Sequence, residues 1–177
     1  TLDRDLGRLS GLNHATSYFG HPLTNIGISL IFIILAGLVA MVLFENTANI
    51  LIVVIAAGLG AYMALNIGAN DVANNMGPAV GANALSMGGA IAIAAIFESA
   101  GALLAGVDVV STVAKGIIAP ENMRTTAIFI FAMLSALLSA ALWVNLATWV
   151  GAPVSTTHSV VGGVMGAGIA AAGFAAV

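Results

Sequence analysis

The sequence contains no cysteine and very little charge, with four Lys plus Arg and seven Asp plus Glu among 177 residues. Without cysteine, disulfide bonds and thiolate metal sites are excluded. The scarcity of charge excludes more, because 60% of the residues are hydrophobic and the mean hydropathy is +1.11. Such a chain has too little polar surface to cover a water-soluble globule, so lipid must solvate it.

Long uncharged runs take the place of the missing polar surface. An apolar bilayer core roughly 30 Å thick needs about 20 helical residues to cross it. Five runs approach this length and predict membrane-spanning helices, at residues 25–44, 50–66, 87–107, 125–150 and 159–177. The short polar turn at residues 45–49 predicts that the first two form an antiparallel pair. We therefore expect an all-α fold, a polytopic bundle of transmembrane helices.

Residues 68–78 interrupt this apolar pattern, because they combine an aspartate with three asparagines, glycines and Pro78. A carboxylate and carboxamides at membrane depth are costly unless they face protein, water or an ion. Glycine and proline among them predict a helix break that lines a cavity. On a helical turn, Asp71, Asn74 and Asn75 would share one face. Carboxylate and amide oxygens suit a hard cation such as Na⁺.

A second polar interruption occupies residues 151–159, where Gly151 and Pro153 predict the end of a helix. Four hydroxyl residues then surround His158. Proline followed by serine and threonine is typical of a helix N-terminus. Its free backbone N–H groups and the helix dipole would form a site for an anion.

Glu98 lies near the middle of the third apolar run. An unpaired structural carboxylate at that depth is costly, so the position favours a functional role. Two polar segments interrupted by Gly and Pro are typical of discontinuous helices, or a re-entrant segment, that meet at a transporter's substrate site. A cation site beside an anion-binding helix start indicates coupled transport.

Other interpretations of the same residues exist. The asparagines around Asp71 could form a buried network that only holds helices together. His158 could be a packed or capping residue. Ser155, His158 and Asp71 are also the residue types of a hydrolase triad, but no nucleophile motif accompanies them. An intramembrane hydrolase and a structural membrane subunit are therefore the weaker alternatives, and we expect that the protein is not an enzyme.

The two polar segments resemble a known family. Residues 68–81 read GANDVANNMGPAVG, and Ile-Phe-Glu at 96–98 and Lys-Gly-Ile-Ile at 115–118 follow them. Residues 153–162 read PVSTTHSVVG. Together these motifs resemble, in order and spacing, the signatures of the PiT family of inorganic phosphate transporters. The likeness covers roughly residues 50–177.

The resemblance implies cation-coupled phosphate uptake in the plasma membrane, usually with Na⁺, by a protein of two inverted repeats. For phosphate it implies Ser155, Thr156, Thr157, Asp71 and Asn70. For Na⁺ it implies Asn70, Asp71 and Asn74. It assigns coupling or gating to Glu98 and His158. Proton coupling and transport of another oxyanion such as sulfate remain open.

The same resemblance predicts how the chain is organised. Residues 1–25 would be a juxtamembrane segment, residues 26–49 an additional N-terminal transmembrane helix and turn, and residues 50–177 one transporter repeat. Each signature occurs once here, whereas a complete family member carries two related copies. We therefore expect the N-terminal half of a transporter. The second half would belong to the same polypeptide or to another chain, with a homodimer as one possibility. The expected partners are phosphate, Na⁺ and membrane lipid, with no cofactor and no nucleic acid.

Overall fold

The computed structural model describes residues 24–118 and 123–174, and within them all regular structure is helical. The five helices are α1 (Thr24–Leu43), α2 (Ile50–Gly81), α3 (Met87–Gly116), α4 (Thr126–Trp149) and α5 (Thr156–Ala172). Four of them, α1 to α4, are long and apolar enough to cross a membrane. This confirms the predicted all-α, polytopic fold. Nearly all of the predicted juxtamembrane segment lies outside the described residues.

The chain divides into two compact units, with the boundary between Ala61 and Tyr62 inside α2. In the first unit, α1 packs against the beginning of α2. A methyl group added at Gly37 would lie 3.4 Å from Val54, and one at Gly58 would lie 3.7 Å from Ile33. Because these contacts run in opposite directions along the two helices, the predicted antiparallel pair is confirmed.

The second unit has a core of small side chains between α4 and α5. Ala136, Ala140, Ala141 and Val144 of α4 are all buried, as is Val164 of α5. The largest apolar side chains point outward instead, and many of those on α3 are almost fully exposed within this chain. Small residues at helix contacts and large apolar residues outside are typical of proteins solvated by lipid.

The predicted helix break at residues 68–78 is wrong. Helix α2 continues through this segment to Gly81, with Pro78 inside it. Pro78 stands within the last turn, so the donor that it lacks removes only the hydrogen bond to the carbonyl of Asn74. Membrane helices tolerate glycine and proline when neighbouring groups satisfy the freed backbone. No discontinuous helix or re-entrant segment therefore forms at the first motif.

The break predicted at residues 151–159 is present. Helix α4 ends at Trp149, and Gly151 has a φ of 72°, a left-handed conformation that favours glycine. Helix α5 begins at Thr156, so Pro153 precedes the helix rather than lying in its first turn. With 17 residues, α5 is about 25 Å long, shorter than the roughly 30 Å apolar core. The fifth predicted span is accordingly not among the four helices that can cross.

Candidate functional site

The two polar motifs meet at the start of α5. The hydroxyl of Thr156 donates a hydrogen bond to Oδ2 of Asp71 at 2.9 Å, across 85 residues of sequence. Thr156 is the first residue of α5 and is buried, while Asp71 is half-buried in the middle of the first motif. The two segments therefore lie side by side, as their sequence pattern predicted.

The N-terminus of α5 presents donors of the kind that can bind an anion. Ser155 caps the helix, and its Oγ accepts the backbone N–H of His158 at 3.2 Å. Nδ1 of His158 also lies 2.7 Å from this hydroxyl oxygen. The N–H groups of Thr156 and Thr157 belong to the first turn, where no carbonyl of the helix can accept them. These donors and the positive end of the helix dipole favour a bound anion.

The carboxylate of Asp71 limits which ligands could bind at the start of α5. A negatively charged substrate at the start of α5 would lie close to a second negative charge, and like charges at such distances repel strongly in a low-dielectric environment. A cation or a proton between them removes that repulsion. The geometry therefore suits an anion and a cation bound together better than it suits an anion alone.

Three asparagines on α2 form a polar stripe that faces α4 and the start of α5. They stand one helical turn apart, and we call them the closed stripe: Asn66, Asn70 and Asn74. At its first position, Nδ2 of Asn66 donates to the carbonyl of Tyr62 at 2.8 Å. Oδ1 of Asn66 accepts Nδ2 of Asn145 in α4, also at 2.8 Å. Both polar ends of a buried amide are thus paired.

The other two asparagines of the closed stripe are also paired. Nδ2 of Asn70 donates to the Thr148 hydroxyl of α4 at 3.2 Å, and Oδ1 of Asn70 accepts Nδ2 of Asn74 at 2.8 Å. Asn74 makes a longer contact of 3.4 Å with the carbonyl of Val154, just before α5. Asn70 is only 4% exposed, so its amide is enclosed by these contacts.

The neighbouring face of α2 is open to a cleft instead. Asp71 and Asn75, which we call the open stripe, line a cleft of about 540 Å³ together with Glu98 and Ser99 of α3. Asn75 and Glu98 also share an adjoining pocket of about 260 Å³. Asn75 and Glu98 are exposed within this chain, so their oxygens are available to a ligand.

The structure regroups the predicted cation ligands. Asp71 and Asn75 line one cleft, whereas Asn74 belongs with Asn70 in the closed stripe. Asp71 and Asn74 both face the start of α5, at Thr156 and Val154. That Asp71, Asn74 and Asn75 converge on one cation stays a prediction. The roles of Asn70 and Asn74 as Na⁺ ligands stay predictions. Within the described residues, no three His, Cys, Asp or Glu side chains gather as metal ligands. A cation in this cleft would depend on the carboxylates of Asp71 and Glu98 together with amide, hydroxyl and carbonyl oxygens.

The polar motifs of the sequence did not point to Asn66 and Asn145, although these two residues bond to each other beside the site. Asn145 is the one carboxamide of α4, among apolar and hydroxyl-bearing side chains. A lone amide at membrane depth indicates a partner on another helix, so this signal was available.

Fold and site together define a polytopic membrane protein with a polar site between its helices, the arrangement typical of membrane transporters. Residues 67–177 match the model of the phosphate transporter family. The chain therefore belongs to that family, and with its four apolar spans it is a multi-pass protein of the plasma membrane.

Curated proteins from distant organisms are similar in sequence to this chain. A protein of Helicobacter pylori named as a phosphate permease is 57% identical over 152 residues, which cover 86% of this chain and 28% of the relative. One of Mycobacterium bovis with the same kind of name is 49% identical, covering 70% of this chain and 22% of the relative. For one of Thermococcus kodakarensis, the identity is 45% and the coverages are 72% and 31%.

This chain thus spans less than a third of the length of these relatives. No solved structure matches it.

Proposed function

We propose that the full-length protein imports inorganic phosphate by secondary active transport coupled to Na⁺, and that this chain contributes one of its binding motifs. The observation that carries the proposal is the hydrogen bond from Thr156 to Asp71, which sets a carboxylate beside an anion-binding helix start. The names of the relatives, all phosphate permeases, support phosphate as the anion.

Phosphate would bind at the start of α5. Thr156 and Thr157 supply backbone N–H groups of the first turn, and the exposed hydroxyl of Thr157 adds a side-chain donor. The hydroxyl of Ser155 is already engaged with His158, so its part is to cap the helix and orient that imidazole. A tetrahedral oxyanion has acceptors on every side and suits such a set of donors.

Na⁺ would bind between phosphate and Asp71. The carboxylate provides the charge, and the neighbouring amide oxygens complete a coordination shell of hard ligands. Asn70 and Asn74 are the amides implied by the family resemblance, and Asn75 is the amide that shares a cleft with Asp71. Because the cation offsets the repulsion between phosphate and carboxylate, binding of each favours the other, which is the thermodynamic basis of coupling.

The rest of the full-length protein would supply the remaining binding groups. Transporters built from inverted repeats place the substrate at the interface between repeats, near the bilayer midplane. The relatives are more than three times as long as the part that this chain matches, which leaves room for a second repeat. That repeat would come from the same polypeptide, or from another copy in a homodimer.

Proton coupling is a second candidate, and the position of Glu98 favours it. Glu98 lines the same cleft as Asp71, so a proton on Glu98 would change the charge facing the site. His158, held on Ser155 at the anion site, is a second group able to carry a proton. With proton coupling, uptake would follow a pH gradient, and Glu98→Gln would abolish that dependence.

The test is uptake of labelled phosphate into proteoliposomes that contain the full-length protein. We expect an inward Na⁺ gradient to drive uptake, and choline in place of Na⁺ to abolish it. Uptake that is unchanged in choline but follows an imposed pH gradient would reject Na⁺ coupling in favour of protons. Competition by sulfate at equal concentration would show that the site accepts tetrahedral anions generally, and an absence of phosphate uptake under every gradient would reject the proposal.

A further inference from the structure

The amide pair formed by Asn66 and Asn145 lies one helical turn away from the residues assigned to ion and substrate. Asn66 is 5% exposed, and its Oδ1 accepts Nδ2 of Asn145 at 2.8 Å. Neither residue faces the cleft that Asp71 lines, so neither is placed to touch a ligand there. The pair nevertheless makes a hydrogen bond between α2 and α4 at the level of a tightly packed core, beside Met63 and Val144.

The regular spacing of the closed stripe makes a second register of α2 against α4 possible, and the Asn66–Asn145 pair disfavours that second register. Asn66, Asn70 and Asn74 repeat at intervals of one helical turn, so a slip of α2 along α4 by about 6 Å would again place an asparagine opposite Asn145. The slip would carry Asp71 about the same distance away from Thr156. Lateral amide contacts alone therefore permit two registers, of which only one assembles the site.

Of these two registers, only the observed one pairs the amide oxygen of Asn66 with a donor on α4. Nδ2 of Asn66 is committed to the carbonyl of Tyr62, which leaves Oδ1 as the atom that needs a donor from α4. One turn before Asn145, α4 offers only apolar side chains such as Ala141, which is fully buried. A slipped α2 would therefore bury the amide oxygen of Asn66 without a partner, which is costly. Asn66 is the buried member of the pair, whereas Asn145 is exposed within this chain. Fixing register is the best-attested use of a buried polar group.

We propose that Asn66 and Asn145 are positioning residues, which set the register of α2 against α4 and so hold the carboxylate of Asp71 at the start of α5. This inference rests on the proposed function, since its consequence is read as an effect on phosphate and Na⁺ binding. The pair acts through the contact between Asp71 and Thr156, and it touches neither ligand.

The experiment uses Asn66→Leu combined with Asn145→Leu in the full-length protein. Replacing both partners by apolar groups of similar size leaves no amide unpaired, so the helices can still pack. We expect the KM for phosphate and for Na⁺ to rise about tenfold, because a displaced binding group loses much of its effect. Maximal uptake and the amount of protein in the membrane should stay near those of the unmodified protein.

A second pair of measurements separates positioning from a general loss of packing. In a Thr156→Val background, where the contact with Asp71 is already absent, the double substitution should raise KM by less than about twofold, because coupled residues are not additive. Asn145→Gln, which keeps a carboxamide donor, should stay within about threefold of the unmodified KM. Ser139→Ala is the matched control, since within the described part of the chain the hydroxyl of Ser139 donates to the carbonyl of Ala136 in its own helix and to no other residue. It should leave KM unchanged.

Each result of these measurements supports or contradicts the positioning role of Asn66 and Asn145. An unchanged KM in the double variant, or an equal increase with and without Thr156, would overturn the inference. If neither the double variant nor Asn145→Gln reaches the membrane in folded form, the pair is a folding element and the positioning role is rejected. Failure of the proposed function would instead show in the unmodified protein, as an absence of phosphate uptake.

Discussion

Two adjacent faces of α2 carry polar residues of similar type in opposite surroundings. On the closed stripe, the amides of Asn66, Asn70 and Asn74 are hydrogen bonded to α4, to the start of α5 or to one another. On the open stripe, Asp71 and Asn75 face a cleft shared with α3. The amides of the closed stripe are engaged in hydrogen bonds within the protein, whereas the side chains of the open stripe line a cleft that a ligand could enter.

This difference separates structural from functional polarity within one motif. A carboxamide in an apolar environment is stabilised when both its donor and acceptor are paired, and such a group contributes to helix association. A carboxylate and an amide that line a cleft contribute little to helix association, and their oxygens can coordinate a ligand instead. Asp71 belongs to both categories, because one of its oxygens accepts from Thr156 and its side chain also lines the cleft.

The largest effect is expected from Asp71→Asn. The substitution keeps the shape of the side chain and an oxygen that can accept from Thr156, while it removes the charge and replaces the second oxygen by an NH₂ group. We predict that phosphate uptake falls by at least about 100-fold while the protein remains in the membrane, because the charge holds the cation. Uptake in proteoliposomes, normalised to protein content, measures this. Normal transport would mean that Asp71 belongs with the closed stripe as a structural group.

A smaller effect is expected from Thr156→Val, which removes the hydroxyl and preserves the branched shape. Without this donor the Asp71 carboxylate loses its bond to α5, and we predict a rise in the KM for phosphate of about tenfold, the size expected for a hydrogen bond to a charged group. Thr156→Ser should restore most of the affinity. If Val and Ser behave alike, the hydroxyl does not contribute.

The comparison is tested most directly by two adjacent asparagines. We predict that Asn75→Ala raises the KM for Na⁺ by about tenfold, because Asn75 lines the cleft with Asp71. Asn74→Ala should change it by less than about threefold, because its bond to Val154 is long and exposed. Uptake at graded Na⁺ concentrations measures both. The reverse order of effects would assign the cation to the closed stripe, as the family resemblance implies.

The smallest effect on transport is expected from Gly163→Ala, which tests the packing that places α5. The added methyl group would lie 2.8 Å from the carbonyl oxygen of Ala136, so α4 and α5 must separate slightly. We predict a loss of stability of about 1–3 kcal/mol, with transport reduced only modestly.

Gly162→Ala is the control for this prediction, since a methyl group there meets nothing within 4 Å in this chain. Thermal unfolding of the purified full-length protein compares the two variants. Equal unfolding temperatures would show that the contact between α4 and α5 relaxes at no cost.

Much of the fold was predictable because lipid imposes simple rules. The apolar runs placed the starts of α1 to α4 correctly, but they ended α2 at residue 66 and α3 at residue 107, well before Gly81 and Gly116. The glycine, proline and hydroxyl pattern located the start of α5. The error at α2 came from treating glycine and proline as helix breakers in a setting where they are tolerated. A proline near the end of a helix removes one hydrogen bond. The local sequence does not show whether the helix continues as far as that proline.

The candidate site was predictable in composition and less so in geometry. The sequence indicated that Asp71 and the residues around Thr156 belong together, and their hydrogen bond agrees. It did not distinguish the two faces of α2, since consecutive asparagines differ only in the direction in which they leave the helix. It also left Asn145 unnoticed, because the partner of a lone amide is 79 residues away.

The amino-acid sequence by itself determined that this protein lies in lipid, where its apolar spans begin, and which two segments carry polar groups. These properties follow from local composition, which the bilayer converts directly into structure. Only the tertiary structure decided which polar atoms are paired and which remain available to a ligand. Pairing depends on the rotation and register of one helix against another, and those are set by contacts between residues far apart in the chain.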